Sequence, residues 1–285
     1  MIRDAPGVAE SLSGYGVMVN LLVTNDDGID APGLSSLCAS LSRRGHVVTV
    51  VAPDEDRSGA SASIGRLTPG HGVPMEAVAE FPVPEVRAFR LAGPPGLAVL
   101  AACLGAFGPP PDFVVSGVNA GANTGHAILH SGTVGAALTA QTFGVSALAV
   151  SVADGQPWQW ATACAFANDA LERLAGEPSG TVYNLNAPGL PLAEVRGLRW
   201  ASLDRFGAVR LAVAGHDRGA LQLELCETGA ELDPTSDTAL VAAGFATLTR
   251  LFGVTAAEER RQPEQPNAEL HLVEKTAPRK SGEDL

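Results

Sequence analysis

Lysine is almost missing from this 285-residue chain: only Lys275 and Lys280 occur, both near its end. A Walker A loop needs Gly-Lys-Ser/Thr and a Schiff-base enzyme needs a lysine in its core, so both classes drop out. Basic residues are few in general, and the formal net charge is -12. That balance argues against a nucleic-acid polymer or a membrane surface as partner, since both are held by clustered Lys and Arg. A divalent cation suits it better. Cysteine is scarce too: Cys38, Cys103, Cys164 and Cys226 are widely spaced and form no Cys-x-x-Cys pair. They read as small buried apolar residues in a reducing compartment, not as a disulfide set or a zinc site. No apolar run is long enough to span a membrane, and residues 1–17 lack the continuous apolar segment of a signal peptide. The expected location is cytoplasmic, with residues 1–17 a flexible extension or a start assigned too early. No Gly-x-Gly-x-x-Gly follows the first strand, which disfavours a nicotinamide-dependent oxidoreductase.

What is there begins with Val19 to Thr24, an apolar, β-branched run that reads as a buried strand and stops abruptly at Asn25-Asp26-Asp27-Gly28. Ligands bind at the carboxyl ends of strands in open α/β sheets, so the two carboxylates stand where chemistry is commonly housed. Neighbouring residues on a strand point to opposite faces; both acids converge on one ion only if the chain is already turning, which Gly28 permits. Taken alone, the same four residues are equally a plain turn between strand and helix.

Pro32 and the spacing of Leu34, Leu37, Cys38 and Leu41 predict a helix up to Gly45, followed by a strand over His46–Val51 and a polar loop from Pro53 to Ser61. This is a βαβ unit whose two loops share one sheet edge, so Ser58 can approach Asp26 and Asp27. Residues 66–85 predict a loop or short hairpin. Pro95–Phe107 reads as a helix and Asp112–Ser116 as a strand leading into the Gly117–Gly125 loop with Asn119 and Asn123. Ser131-Gly132-Thr133 then opens a helix whose free N–H groups and dipole favour an anion such as phosphate. Strands over Val145–Val152 and Thr181–Asn186 flank a helix over Trp158–Leu174. Past Pro188 the short runs Leu198–Leu203, Val209–Val213 and Leu221–Leu225 predict antiparallel ribbons. Ser236-Asp237-Thr238 caps a short helix and Phe245–Leu251 is the last strand. The organisation expected is an N-terminal extension (1–17), an α/β domain (18–255, with its core at 18–187 and an antiparallel subregion at 188–255) and a partly disordered tail (256–285).

Two carboxylates, a hydroxyl and an amide carbonyl are oxygen-only ligands that select Mg²⁺ or Mn²⁺ over zinc. Such an ion next to a helix start suits hydrolysis of a phosphate ester. Asn25-Asp26-Asp27-Gly28 with Ala31-Pro32-Gly33, Ala52-Pro53 with Arg57-Ser58-Gly59-Ala60-Ser61, and Ser116-Gly117-Val118-Asn119-Ala120-Gly121-Ala122-Asn123 with Ser131-Gly132-Thr133-Val134 closely resemble SurE, a family of metal-dependent 5′/3′-nucleotidases. The resemblance implies a Rossmann-like, three-layer α/β core with a mostly parallel sheet and an antiparallel C-terminal extension that packs between subunits of a homodimer or homotetramer. It implies one Mg²⁺ or Mn²⁺ ion per subunit held by Asp26, Asp27, Ser58 and Asn119. It places Asn25, Asn123, Ser131, Gly132 and Thr133 at the phosphate, with Asp26, Asp27, Asn123 and Ser131 as the catalytic set and Asp26 the candidate to deprotonate water. The substrate implied is a nucleoside 5′- or 3′-monophosphate.

Departures from that pattern sit at the rim. Gly93-Pro94-Pro95-Gly96-Leu97-Ala98 lacks the usual threonine and aspartate, and His130 replaces a tyrosine. Alternatives are therefore a diverged nucleotide-binding protein with little turnover, or a phosphatase for another small ester or short polyphosphate. His126 and His130, four apart, read as pocket-rim residues more than as metal ligands. His46, His71, His216 and His271 read as surface or capping residues, Ser58 as a ligand more than a triad nucleophile, and Trp158, Trp160 and Trp200 as core more than base-stacking platforms.

Overall fold

The computed structural model describes residues 18–205, 209–217, 220–227 and 231–255. Residues 1–17 and 256–285, and with them His271, lie outside the described residues, as does the side chain of His216. Strands β1 (Asn20–Thr24), β2 (Val47–Pro53), β3 (Met75–Ala77), β4 (Arg87–Leu91), β5 (Phe113–Ala120), β6 (Ser146–Val152), β7 (Val182–Ala187), β8 (Leu198–Trp200) and β11 (Ala246–Leu251) form one sheet in the order β3-β4-β2-β1-β5-β6-β7-β11-β8. The six central strands from β4 to β7 run parallel. Between them run α1 (Pro32–Arg43), α2 (Pro95–Cys103), α3 (Gly132–Gln141) and α4 (Trp160–Ala175).

Alternation along the strands divides the core in two. Leu21, Val23, Val115, Leu148 and Val150 face the layer built by α1 and α4, whereas Leu22, Val114, Ala147 and Ala149 face α2 and α3. On the second face the contact is largely alanine, with Ala136, Ala137 and Ala140 of α3 against Ala147 and Ala149. Small residues on both sides let α3 lie close to the sheet, which brings its first turn to the ends of β1 and β5. The apolar area removed from water, at about 25 cal/mol per Å², holds these layers together.

β1 has β2 on one side and β5 on the other; the connection β1–α1–β2 steps one way across the sheet and β5–α3–β6 the other, so a crevice opens at the carboxyl ends of β1 and β5. Parallel crossovers are expected to share one hand. Here the connections β5–α3–β6 and β6–α4–β7 step the same way across the sheet, yet α3 and α4 cover opposite faces. The two crossovers therefore differ in hand, and α4 joins α1 instead of α3.

The C-terminal region differs from expectation in one respect. β9 (Val209–Asp217) and β10 (Ala220–Glu227) do form an antiparallel ribbon, but β8 does not: it pairs parallel with β11 at the edge of the main sheet, and β11 is antiparallel to β7. Three residues on a sheet edge carry too little alternation to show their partner. Trp200 of β8 is 57% exposed and meets Tyr183 edge-on, so it is no core residue; Trp158 and Trp160 stack on each other at 5.4 Å and pack against the α1/α4 layer. β4 was not expected either, because its Arg87 and Arg90 interrupt the apolar pattern; both reach outward, Arg90 to Asp30 and Glu76. Residues Val254 and Thr255, the described start of a second unit, form neither helix nor strand.

Gly33, at the second position of α1, shows how tightly the first helix is set on the sheet. A Cβ there would lie 2.2 Å from the Val118 carbonyl oxygen. Gly33→Ala is expected to cost about 3 kcal/mol or more, because backbone lies on both sides of the clash. Urea unfolding with and without the substitution measures it, and an unchanged midpoint would contradict the close approach.

Candidate functional site

Asn25-Asp26-Asp27-Gly28 forms the turn that leaves β1. Gly28 adopts φ +102°, a region other residues rarely enter, and Asn25 Nδ2 donates to its carbonyl at 3.0 Å. Asn25 is wholly buried and braces this turn. The Ile29 N–H donates to the Pro53 carbonyl at 2.9 Å and the Arg57 N–H to the Asp26 carbonyl at 2.7 Å, tying the turn to the loop after β2.

Asp26 is 3% exposed and its Oδ1 accepts a hydrogen bond from the Thr133 hydroxyl. The same hydroxyl lies 3.3 Å from Asn119 Oδ1. Asn119 Nδ2 donates to the Gly121 carbonyl at 2.7 Å, which leaves the amide oxygen, not the nitrogen, toward Thr133. Asp27 accepts the Ala120 backbone N–H. Three elements therefore meet: the end of β1, the end of β5 and the start of α3.

The charge balance at this junction is one-sided. Burial raises the Asp26 carboxyl, opposed by its bond from Thr133, and burial followed by Asp26 and Asp56 pushes Asp27 up to about 7. The charged groups acting on Asp27 are thus carboxylates. The Arg57 guanidinium, although the backbone N–H of Arg57 bonds the Asp26 carbonyl, pairs with Asp54 and Glu55. Burying acids without an opposing cation is unfavourable, and a divalent ion would relieve it.

Ser58 belongs to the exposed loop after β2. Its N–H and its hydroxyl both donate to Asp56 Oδ1, at 2.7 and 2.6 Å. The hydroxyl proton is thereby turned to Asp56 and the oxygen lone pairs stay available. The loop itself is set by glycines on the facing helices: a Cβ on Gly135 would fall 2.3 Å from the Ser61 carbonyl, and one on Gly96 2.7 Å from the Ser63 carbonyl. Gly96, within the Gly93–Ala98 segment, thus packs against the continuation of this loop.

Ser131 is the N-cap of α3, its Oγ accepting the Val134 N–H at 3.1 Å, which leaves its own O–H to donate. Gly132 presses on Asp26 so closely that a Cβ would sit 2.7 Å from Oδ2. Asn123 lies one loop away, with its Nδ2 on Ser151 Oγ at 2.8 Å. His126 and His130 occupy a 3-10 turn (Gly125–His130) and are exposed. Among the described residues no three His, Cys, Asp or Glu side chains cluster as metal ligands, so a cation here would need amide and hydroxyl oxygens as well.

Sequence reasoning passed over Asp56, Ser151, Asn184, Asn186 and Asp237 as parts of this region. The Asp237 carboxylate accepts the N–H groups of Gly125 and Asp204 at 2.9 Å each, pinning the loop beyond Asn123. Asn184 and Asn186, two apart on a fully buried strand, had a signal: buried polar groups on one face must meet a partner.

A family model described as "Survival protein SurE" matches residues 21–208. The 5′-nucleotidase SurE of Alkalilimnicola ehrlichii is 38% identical over 237 residues, covering 81% of this chain and 88% of that protein. The 5′/3′-nucleotidase SurE of Erwinia tasmaniensis is 37% identical over 238 residues, covering 82% and 90%. The crystal structure of the SurE protein from Aquifex aeolicus superposes with a TM-score of 0.68 at 26% identity, over 81% of this chain and 92% of that one. The chain, with its α/β fold of mostly parallel strands, belongs to the SurE family.

Proposed function

We propose that this protein is a divalent-metal-dependent phosphomonoesterase that hydrolyses nucleoside 5′-monophosphates, and 3′-monophosphates as well, to nucleoside and phosphate. The observation that carries the reading is the contact of the α3 start with the acidic pair: Thr133 and Gly132 touch Asp26, so an anion site and a cation site share one crevice. The relatives named 5′-nucleotidase and 5′/3′-nucleotidase support the same substrate class.

Asp26, Asp27, Ser58 and Asn119 would hold one Mg²⁺ or Mn²⁺ ion, and the inward-turned Asn119 oxygen and the uncompensated acids suit it. The chemistry such an ion would supply is charge neutralisation at the phosphate and activation of water near neutral pH. The chain's own part is to bind and orient. Backbone N–H groups at Gly132 and Thr133, the Ser131 O–H and Asn123 offer donors to phosphate oxygens, and the positive end of α3 favours the charge that builds up on them. Asp26, whose Oδ1 accepts a hydrogen bond from the Thr133 hydroxyl, would take the proton from water in this reading.

Residues 18–255 make up the catalytic domain in this reading. Free Cys38, Cys103 and Cys164 accord with a reducing cytoplasm, and no helix among the described residues is long and apolar enough to cross a membrane. The β9–β10 ribbon, which exposes Val213 and Leu221, accords with a homodimer or homotetramer.

The test is phosphate release by the purified protein from a panel of 5′- and 3′-nucleotides, other phosphate esters and short polyphosphate. Release is expected for nucleotides with Mn²⁺ or Mg²⁺, and chelation should remove it reversibly. No release from any compound with either metal would overturn the reading.

A further inference from the structure

Between β5 and the Gly125–His130 turn, one residue is held by three buried side chains that the proposed reaction leaves without a task. The backbone N–H of Asn123 donates to Asn186 Oδ1 at 2.7 Å, and its carbonyl accepts from Nδ2 of both Asn186 and Asn184 at 2.9 Å. Its own Nδ2 donates to Ser151 Oγ at 2.8 Å. Ser151 and Asn186 are paired across the β6–β7 ladder, and Asn184 lies two residues back on the same face of β7. All three are wholly buried.

This bonding holds Asn123 through its backbone N–H, its carbonyl and its side-chain amide. Asn186 meets both polar groups of one backbone unit, as a neighbouring strand would, while Ser151 sets the plane of the Asn123 amide. The cost is visible in Asn184, whose Oδ1 is buried with no partner. An apolar side chain would avoid that penalty, so stability alone does not account for an amide there. What Asn184 and Asn186 gain is a fixed Asn123, with its second amide hydrogen uncommitted. Donors aimed in advance at developing charge need no rearrangement when the reaction occurs.

We propose that Asn186, supported by Asn184 and Ser151, is a positioning residue for phosphate transfer: it holds Asn123 so that its remaining amide hydrogen meets a phosphate oxygen. The inference rests on the nucleotidase reading, which the wild-type protein tests by itself. Positioning is read from a cycle of variants, and also from binding of inorganic phosphate in the presence of Mn²⁺, which needs no turnover.

Asn186→Leu is expected to lower kcat about 10- to 100-fold, to weaken inorganic phosphate about 10-fold and to leave Mn²⁺ affinity within about 2-fold of wild type. Asn123→Ala should show losses of the same size. The double variant should be no worse than Asn123→Ala, because Asn186 acts through that residue. Losses that multiply in the double variant, or an equal loss of Mn²⁺ affinity, would make Asn186 a purely structural residue and overturn the proposal; so would wild-type values for Asn186→Leu in both readouts. Should the leucine variant not fold, Ser151→Ala carries the same cycle, with a loss of about 3- to 10-fold that vanishes in the Asn123→Ala background. If the wild type released no phosphate, the nucleotidase reading would fall, and the phosphate-binding cycle would still decide whether Asn186 positions Asn123.

Discussion

Asp27→Asn is expected to lower kcat/KM about 10³-fold or more and yet, without metal at about pH 8, to raise the melting temperature. Both effects come from the same carboxylate. In the proposed reading Asp27 is a cation ligand, and asparagine replaces a charged oxygen by a neutral one. In the metal-free protein that charge is a burden: burial, Asp26 and Asp56 push the group from 3.8 up to about 7. An acid whose folded pKa is raised holds its proton more tightly when folded than when unfolded. Its favourable contribution is full below about pH 4 and is lost as pH rises through about 7, where the folded protein must carry the bare charge. Asparagine keeps an oxygen for the Ala120 N–H and never ionises, so the stability gap should widen from about pH 4 to pH 7 and stay flat above. Mn²⁺ should reverse the order, stabilising the wild type by mass action and the variant little. Melting curves at about pH 5 and pH 8, in chelator and in Mn²⁺, check this; a variant less stable than wild type at high pH in chelator would show that Asp27 is not the strained group described.

The crevice was legible in the sequence because its parts are local. Asp26 and Asp27 follow an apolar strand, Ser131-Gly132-Thr133 opens a helix, and strand ends in a parallel sheet share an edge. The βαβ pattern likewise placed β1, β2, β6 and β7 to within two residues, whereas β4 was missed and β5 runs four residues past its expected end, so that Asn119 lies on the strand and not in the loop after it. What stayed hidden depends on contacts across long separations. Nothing in Leu198-Arg199-Trp200 says that it will lie parallel to a strand 48 residues later, beginning with Leu198 opposite Ala246. The hand of the β6–α4–β7 connection is hidden for the same reason, since the apolar face of α4 fits either side of a sheet buried on both. Asp56 escaped notice because a carboxylate in a polar loop looks like a solvated turn residue, and only its two bonds from Ser58 give it a place. Asn184 and Asn186 could have been singled out, since two amides on one face of a buried strand need partners. Their partner, Asn123, lies 61 and 63 residues away.

Gly132→Ala is expected to lower kcat/KM about 10²- to 10³-fold, one methyl group doing nearly the damage of removing a ligand. The added Cβ would fall 2.7 Å from Asp26 Oδ2 and 2.8 Å from Asp26 Cβ, well inside contact distance. Asp26 cannot swing aside freely, because its Oδ1 is bonded to Thr133 and its carbonyl to the Arg57 N–H. Nor can α3 retreat without loss: its alanines are packed on those of β6, and a Cβ on Gly135 one turn along would already meet the Ser61 backbone. Relief must come from parting the helix start and the carboxylate, by an ångström or so, and that separation is what the proposed chemistry uses. Such a shift reaches Asn119 through Thr133, so Mn²⁺ affinity should fall together with kcat. Inorganic phosphate should bind more weakly as well, because its donors move away from the cation. Two independent sites would behave otherwise, with phosphate lost and the metal retained; calorimetric titration of the variant with Mn²⁺ and then phosphate separates the cases. Mn²⁺ binding at wild-type strength would mean that the anion and cation sites do not share the contact between Gly132 and Asp26.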